Sequence, residues 1–507
     1  MNPDDYAYIA FWKEMIRGEI YFEWTTPKPF HVILFGILYE ITHSLFAVAL
    51  VFAVAMSLLI YYVCKLMTRI SGNPMPCLFL LLFVVVNKFF TNTVMTGGSG
   101  LFSALFIFVA LNQILVKESS IRRLGNPIII VSLSLAGLAR PESWISSTLI
   151  IAYLYAAKYL RKGHEKSYRD LLLLIPMLMP LVWHLFDYVA FGDPFYSTKM
   201  TRGYAENMHN AFGSSYTFVW SRYPRMLKGY LLAVFQTPLL IVSLIGLIWM
   251  CIKKPKSLLP LMIPFLSNIL FYFVIYVQQM TLVGRFFFYN YVLIVILAST
   301  AVGFAAKLTR RIRIRGLRGA VKVGIVSVAA LFLIALPIKK TLFPMFPSLR
   351  RKQTVRENVK TAVNAVMADK DFRDDSFLIV SAEHEGRICV MVPSKGSRVF
   401  PIRELAALEG IPMFERDILS LMHFMAQNRA RYAYNPIEKL VKLEEVPVFR
   451  KAVFFSIQVY SPRSGKVKKL FEKLKEQSES VDVLIDRGNL KVCKFRPNYV
   501  FLKRRSK

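Results

Sequence analysis

Apolar runs long enough to cross a bilayer recur through the first two thirds of this chain. Several reach the roughly 18 consecutive apolar residues that a hydrocarbon core demands. A backbone in lipid must satisfy its own polar groups, so such runs fold as helices. We read them at 44–64, 77–94, 100–116, 127–139, 143–157, 169–190, 230–252, 258–278, 285–306 and 321–340. The stretch from Phe30 to Glu40 is apolar but short, either a re-entrant or interfacial helix or the start of a tilted first span. The pair at 127–157 is interrupted by Arg140-Pro141-Glu142 and is two short helices or one kinked helix; span parity favours two. With 55% hydrophobic residues over 507 positions, the chain reads as a polytopic α-helical membrane protein of about ten spans.

Loop charge orients these spans, because Lys and Arg concentrate on the cytoplasmic side. One alternate set of loops holds Lys65 and Arg69, then Lys117, Arg122 and Arg123, then Lys158 to Arg169, then Lys253, Lys254 and Lys256, then the run from Lys307 to Arg318. The other short loops hold little beyond Lys88, Arg140 and Arg285. The first set is therefore cytoplasmic. The N-terminal segment, the Arg140 turn, the 191–229 loop and everything after about 344 fall outside. An even number of spans with both ends outside implies a further apolar helix upstream of Met1.

The net charge of +33 is large. It suits anionic lipid head groups, because the basic residues flank apolar spans. Nucleic acid is excluded as a partner, since the charges do not pattern with aromatic stacking platforms. Cys64, Cys77, Cys251, Cys389 and Cys493 form no CxxC pair and give no disulfide framework or zinc site. The N-terminus lacks the order of a cleavable signal peptide.

Residues 344–507 differ in kind. Lys and Arg outnumber Asp and Glu there by 32 to 19, and apolar runs shrink to strand length. Strands are expected at 377–381, 388–392, 398–402, 452–459, 481–485, 490–495 and 499–502, with helices at 414–427 and 466–477. The organisation is then a membrane domain at 1–343 and an extracytoplasmic α/β domain at 344–507.

Polar residues that are hard to explain as scaffold gather in the outer segments. Asp4 and Asp5 precede Tyr6, with Lys28-Pro29 further on. A carboxylate beside an alcohol can take its proton during attack, and Lys28 can meet a phosphate as a point charge. Asp5 fits a helix N-cap equally well. Arg140, Glu142 and Trp144 sit at the junction of two apolar runs, where ionisable residues are costly and are either functional or paired. An Arg140–Glu142 pair that fixes the turn is the plainer reading. The stretch Phe191-Gly192-Asp193-Pro194-Phe195-Tyr196-Ser197-Thr198-Lys199 is a tight turn leaving the membrane. It offers Tyr196, Ser197 and Lys199 to a hydroxyl-rich or phosphorylated ligand. Arg285, ahead of an aromatic run, can fork onto a lipid-linked phosphate or snorkel to the head groups. Gly97-Gly98-Ser99-Gly100 lacks the Lys of a phosphate loop. The scattered histidines make no metal cluster, and no cofactor is required.

The ordered set resembles the GT-C superfamily of integral-membrane glycosyltransferases. It comprises Asp4-Asp5-Tyr6, Gly18, Lys28-Pro29, Leu138 to Trp144 with its Arg-Pro-Glu core, Phe191 to Ser197 with its Gly-Asp-Pro, and Gly284-Arg285-Phe286. The resemblance covers most of residues 1–340. It implies a polyprenyl-phosphate sugar donor, a glycan, lipid or protein acceptor, and inverting transfer on the outer face of a bacterial inner membrane. It assigns the catalytic base to Asp5, or to Asp4 beside it. Lys28, Arg140, Lys199 and Arg285 are the cations for the donor phosphate, with Glu142 and Tyr196 alongside. The upstream helix that delivers the first loop in the family is absent from the sequence. The competing expectations are a transporter or lipid flippase, and a non-catalytic envelope scaffold.

Overall fold

The computed structural model describes residues 3–16, 28–72, 99–116, 126–159, 168–199, 237–277, 288–308, 357–372, 377–380, 399–401, 454–459, 478–487 and 490–497, with isolated positions between them. The chain divides into two compact units. One is Thr26–Met345 with Met1–Asn2; the other joins Pro3–Thr25 to Phe346–Lys507.

The first unit is helical. Its elements are α2 (Pro29–Thr42), α3 (Leu45–Ser71), α4 (Ser99–Val116), α5 (Pro127–Ala139), α6 (Glu142–Tyr159), a 3-10 segment (Tyr168–Leu178) running into α7 (Met179–Phe191), α8 (Thr237–Lys253), α9 (Pro255–Val277) and α10 (Phe288–Leu308). Eight of the expected apolar runs thus appear as helices. The runs at 77–94 and 321–340 lie almost wholly outside the described residues. Among the described residues four helices are long and apolar enough to cross a membrane: Leu45–Ser71, Asp170–Phe191, Pro255–Ile275 and Phe288–Ala305. Shorter apolar helices accompany them, consistent with a multi-pass membrane protein.

Local signals set the helix ends. Pro29 and Pro127 occupy first helical positions, where the missing N–H costs nothing. Asn126 caps α5 by accepting from Ile128 N–H at 3.0 Å. The apolar stretch from Phe30 is a separate helix and not the start of α3. His43 turns left-handed at φ 48°, and Ser44 then caps α3. Pro141 denies helical geometry to the residue before it, so Arg140 is extended (φ −156°, ψ 136°) and α5 and α6 are two helices.

Burial follows the helical period. On α3, Val48, Phe52, Ala55, Leu59, Val63, Leu66 and Ile70 face inward, while Phe46, Leu50, Val54 and Leu58 are exposed. On α7 the exposed stripe is Leu181, Leu185 and Val189. Exposed apolar stripes of this kind suit lipid contact. Helix α10 is the most enclosed span, packed by α3, α4, α8 and α9. Gly246 of α8 permits the closest approach: a Cβ there would stand 1.9 Å from the Leu297 carbonyl oxygen. Helix α5 packs against α2, α4, α6, α7 and the 3-10 segment, which places its C-terminal Arg140 among several elements.

Among the described residues the second unit contains α1 (Pro3–Ile16), a helix at 357–368 that we call α11, and five strands: β1 (Phe377–Val380), β2 (Val399–Pro401), β3 (Phe454–Val459), β4 (Ser478–Arg487) and β5 (Leu490–Pro497). They form one mixed sheet in the order β2-β1-β3-β5-β4. Strand β1 runs parallel to β2 and β3, while β5 is antiparallel to β3 and β4. The strands expected at 388–392 and 499–502 and the helices at 414–427 and 466–477 lie outside the described residues. Lys494 of β5, 4% exposed, bonds Asp369 at 2.9 Å and Asp371 at 2.5 Å and ties the end of α11 to the sheet.

Candidate active site

Among the described residues of the helical unit, one buried polar arrangement lies at the α5–α6 turn. Arg140 Nε donates to Glu142 Oε2 at 3.0 Å, and Nη2 donates to Oε1. Arg140 is 6% exposed and Glu142 7%, so a two-point ion pair is sunk at the junction. Charges this deep are tolerated only when geometry and further hydrogen bonds compensate their lost hydration. The Arg140 amide donates to Ala136 O at 3.0 Å, and the Ser143 amide to Arg140 O at 3.1 Å. Ser143 and Ser103 share a hydroxyl hydrogen bond at 2.5 Å, tying the turn to α4. Glu142 also sits in the first turn of α6, where the helix dipole favours an anion.

Lys28 precedes α2 and is half-buried. Helix α2 packs against α5, the helix that ends at Arg140. His31 is fully buried among the Phe30, Phe35 and Phe102 rings.

The second arrangement is the segment after α7. Gly192 (φ +70°) ends the helix, its N–H donating to Tyr188 O at 2.8 Å. Asp193 Oδ1 then accepts from the Phe195 amide at 3.0 Å, an Asx turn. Asp193 Oδ2 accepts from Lys199 Nζ at 2.6 Å. Burial alone would raise Asp193, but the bonds from Lys199 and Phe195 outweigh it and hold its carboxyl below the ordinary carboxylate value. Tyr196 is 2% exposed, its ring stacked on Phe191 at 3.4 Å.

A third set centres on Asp187, which with Trp183 and His184 escaped the sequence reading. Asp187 on α7 is fully buried, and it accepts from the Ser197 amide at 3.0 Å and from the Ser197 hydroxyl at 2.8 Å. Trp183 Nε1 donates to the same hydroxyl at 3.3 Å, and His184 Nδ1 lies 2.7 Å from Pro194 O. Trp183 meets Trp144 edge to face at 5.7 Å, and Trp144 Nε1 donates to Gly137 O at 2.9 Å. One connected ladder thus runs from Asp187 to the Arg140 turn. The available signal was a lone carboxylate inside an apolar run, the same cue that singled out Arg140 and Glu142. A second buried pair, Lys158 with Asp170, joins α6 to the 3-10 segment, supported by Tyr155 and Tyr159.

The helical unit therefore contains Lys28, Arg140, Glu142, Tyr196 and Lys199. Asp4 and Asp5 fall in the first turn of α1, within the other unit, and their side chains lie outside the described residues, as does Arg285. Among the described residues no group of three His, Cys, Asp or Glu could hold a metal ion.

No protein-family model matches the chain, and no curated protein matches it. Solved structures do. ArnT from Cupriavidus metallidurans in the apo state superposes with a TM-score of 0.52 at 12% identity, over 97% of this chain and 93% of that one. The crystal structure of the same protein bound to undecaprenyl phosphate gives 0.52 at 13%, with the same coverage. The fold is GT-C-like. The expected resemblance thus holds at the level of architecture across almost the whole chain.

Proposed function

We propose that this chain transfers a sugar from a polyprenyl-phosphate-linked donor to an acceptor hydroxyl on the outer face of a bacterial inner membrane. The observation that carries the reading is the buried Arg140–Glu142 pair at the end of α5, with Lys28 at the start of α2, a helix that packs against α5. It occurs in a bundle whose fold is shared with a protein crystallised with undecaprenyl phosphate. A lipid-linked phosphate is amphiphilic: its tail needs apolar walls and its head needs cations at the interface. Arg140, oriented by Glu142, supplies a directional fork, and Lys28 and Lys199 supply mobile charge. Arg285 belongs to the same proposed set.

The phosphate ester is already a competent leaving group. The protein then has to align the acceptor, remove its proton and stabilise phosphate charge. Asp5, with Asp4 beside it, is the proposed base. Attack on the anomeric carbon from the side opposite the phosphate inverts its configuration. The basic sheet unit is proposed to be an α/β domain on the outer face of the membrane. The test is transfer from a panel of labelled polyprenyl-phosphate sugars by membranes carrying the full chain. Wild type should label an envelope acceptor, and Asp4→Asn with Asp5→Asn should abolish labelling without loss of protein. Normal turnover by that double variant would sink the assignment of the base.

One observation favours a second reading. Helix α9 carries Pro260 and Pro264 internally, and buried Asn268 Nδ2 donates to Asn290 Oδ1 of α10 at 3.1 Å. Proline-interrupted spans with buried amides also build transporter or flippase sites. Lipid or solute flux in liposomes without sugar transfer would support it.

A further inference from the structure

The Asp187 arrangement does more than end a helix. Its carboxylate is enclosed and spends both oxygens on one residue, Ser197, at 3.0 and 2.8 Å. Hydrogen bonds to an ionised acceptor are the stronger kind, and burial removes the competition from water. Ser197 lies in the segment that carries Tyr196 and Lys199. The same hydroxyl also accepts from Trp183 Nε1, and Trp183 packs on Trp144, four residues after Arg140. His184 ties down Pro194 from the same face of α7. Gly137 leaves the space in which this contact closes: a Cβ there would stand 3.0 Å from Met179 and 3.3 Å from Trp144. The Arg140 turn and the 192–199 segment, about fifty positions apart in sequence, are thus braced against one another by buried polar and aromatic contacts.

We propose that Asp187 is a positioning residue: through Ser197 and Trp183 it holds the 192–199 segment in fixed register with the Arg140–Glu142 turn, so that the two segments present one preformed lipid-phosphate site. This rests on the proposed function. Preforming the site matters because a ligand that must first order a loop loses affinity to that ordering. A carboxylate suits the role better than an amide. Asn at this position would accept through one oxygen only and would turn an N–H2 toward Ser197.

The test uses the full-length protein in detergent, with undecaprenyl phosphate as the probe. Asp187→Asn and Ser197→Ala are compared with wild type by amide hydrogen exchange over 192–199, by melting temperature, and by dissociation constant from native mass spectrometry. Losing one charge-assisted bond should accelerate exchange in that segment and weaken undecaprenyl phosphate binding, each by about tenfold. Ser197→Thr, which keeps the hydroxyl, should restore both. A merely structural Asp187 would lower the melting temperature and leave the affinity of the folded protein unchanged, and that result overturns the proposal. Ser197→Ala removes only a hydroxyl and gives the same reading if Asp187→Asn fails to fold. If the wild type binds no undecaprenyl phosphate, the proposed function falls. The exchange arm then decides the brace alone: unchanged exchange over 192–199 refutes it, and accelerated exchange upholds it.

Discussion

Removing one member of the Arg140–Glu142 pair should damage the protein more than removing both. Arg140 is 6% exposed and Glu142 7%, and the guanidinium meets the carboxylate at two points. In Glu142→Leu a guanidinium stays buried without its counter-charge. In Arg140→Met a carboxylate does. Breaking a buried pair in this way costs about 3–5 kcal/mol, whereas replacing both partners by apolar groups is often neutral. We expect each single variant to lose about 3 kcal/mol, and Arg140→Met/Glu142→Leu to lie within about 1 kcal/mol of wild type. The cycle then yields a coupling of about 5–7 kcal/mol. Equilibrium unfolding of the full chain in mixed micelles, followed by tryptophan fluorescence, reads all four corners. The restored double variant should still fail to bind undecaprenyl phosphate, because its fork is gone. Singles that each cost under about 1 kcal/mol, or a double equal to their sum, would refute a buried and mutually dependent pair.

Other outcomes follow from the same contacts. Gly246→Ala places its Cβ 1.9 Å from backbone of α10, which cannot swing aside, so it should cost about 1–3 kcal/mol or more in a thermal melt. Gly137→Ala meets only the Met179 and Trp144 side chains and should cost less. Lys199→Ala should leave unfolding within about 1 kcal/mol of wild type, since Lys199 is 53% exposed, yet weaken undecaprenyl phosphate binding in a filter assay. Desolvation alone would lower Lys494, but its bonds to Asp371 and Asp369 outweigh it and hold the ammonium above the ordinary lysine value. Its stabilisation is therefore complete below the unfolded lysine value of about 10.4 and is lost as pH rises through the folded one. Alkaline unfolding followed by circular dichroism should show this loss in wild type and not in Lys494→Met.

The helices were legible because a bilayer-length apolar run has one physical outcome, and their ends were legible where Pro, Gly or Asn fixed them. The sequence leaves the break at His43 open between two readings, since a histidine at positive φ carries no strong sequence cue. The 3-10 segment at Tyr168–Leu178, where Pro176 sits inside what hydropathy reads as ordinary helix, was not legible. In the site, the Gly192-Asp193-Pro194 turn and the Arg140–Glu142 pair followed from local chemistry. The pairing of Lys199 with Asp193, six positions away and outside any helical neighbour rule, was not legible. Asp187 with Ser197 and Lys158 with Asp170 are bonds across a helix end and a loop. Such partners are chosen by tertiary packing, and a single sequence does not encode them by spacing.

Photo-cross-linking tests the central claim most directly. A diazirine-bearing polyprenyl phosphate is added to the full-length protein in membranes, and the labelled peptides are mapped by mass spectrometry. The account predicts adducts that include 28–31, 140–144 or 192–199 and that are displaced by undecaprenyl phosphate. Adducts confined to other segments, or labelling that undecaprenyl phosphate does not displace, would contradict it.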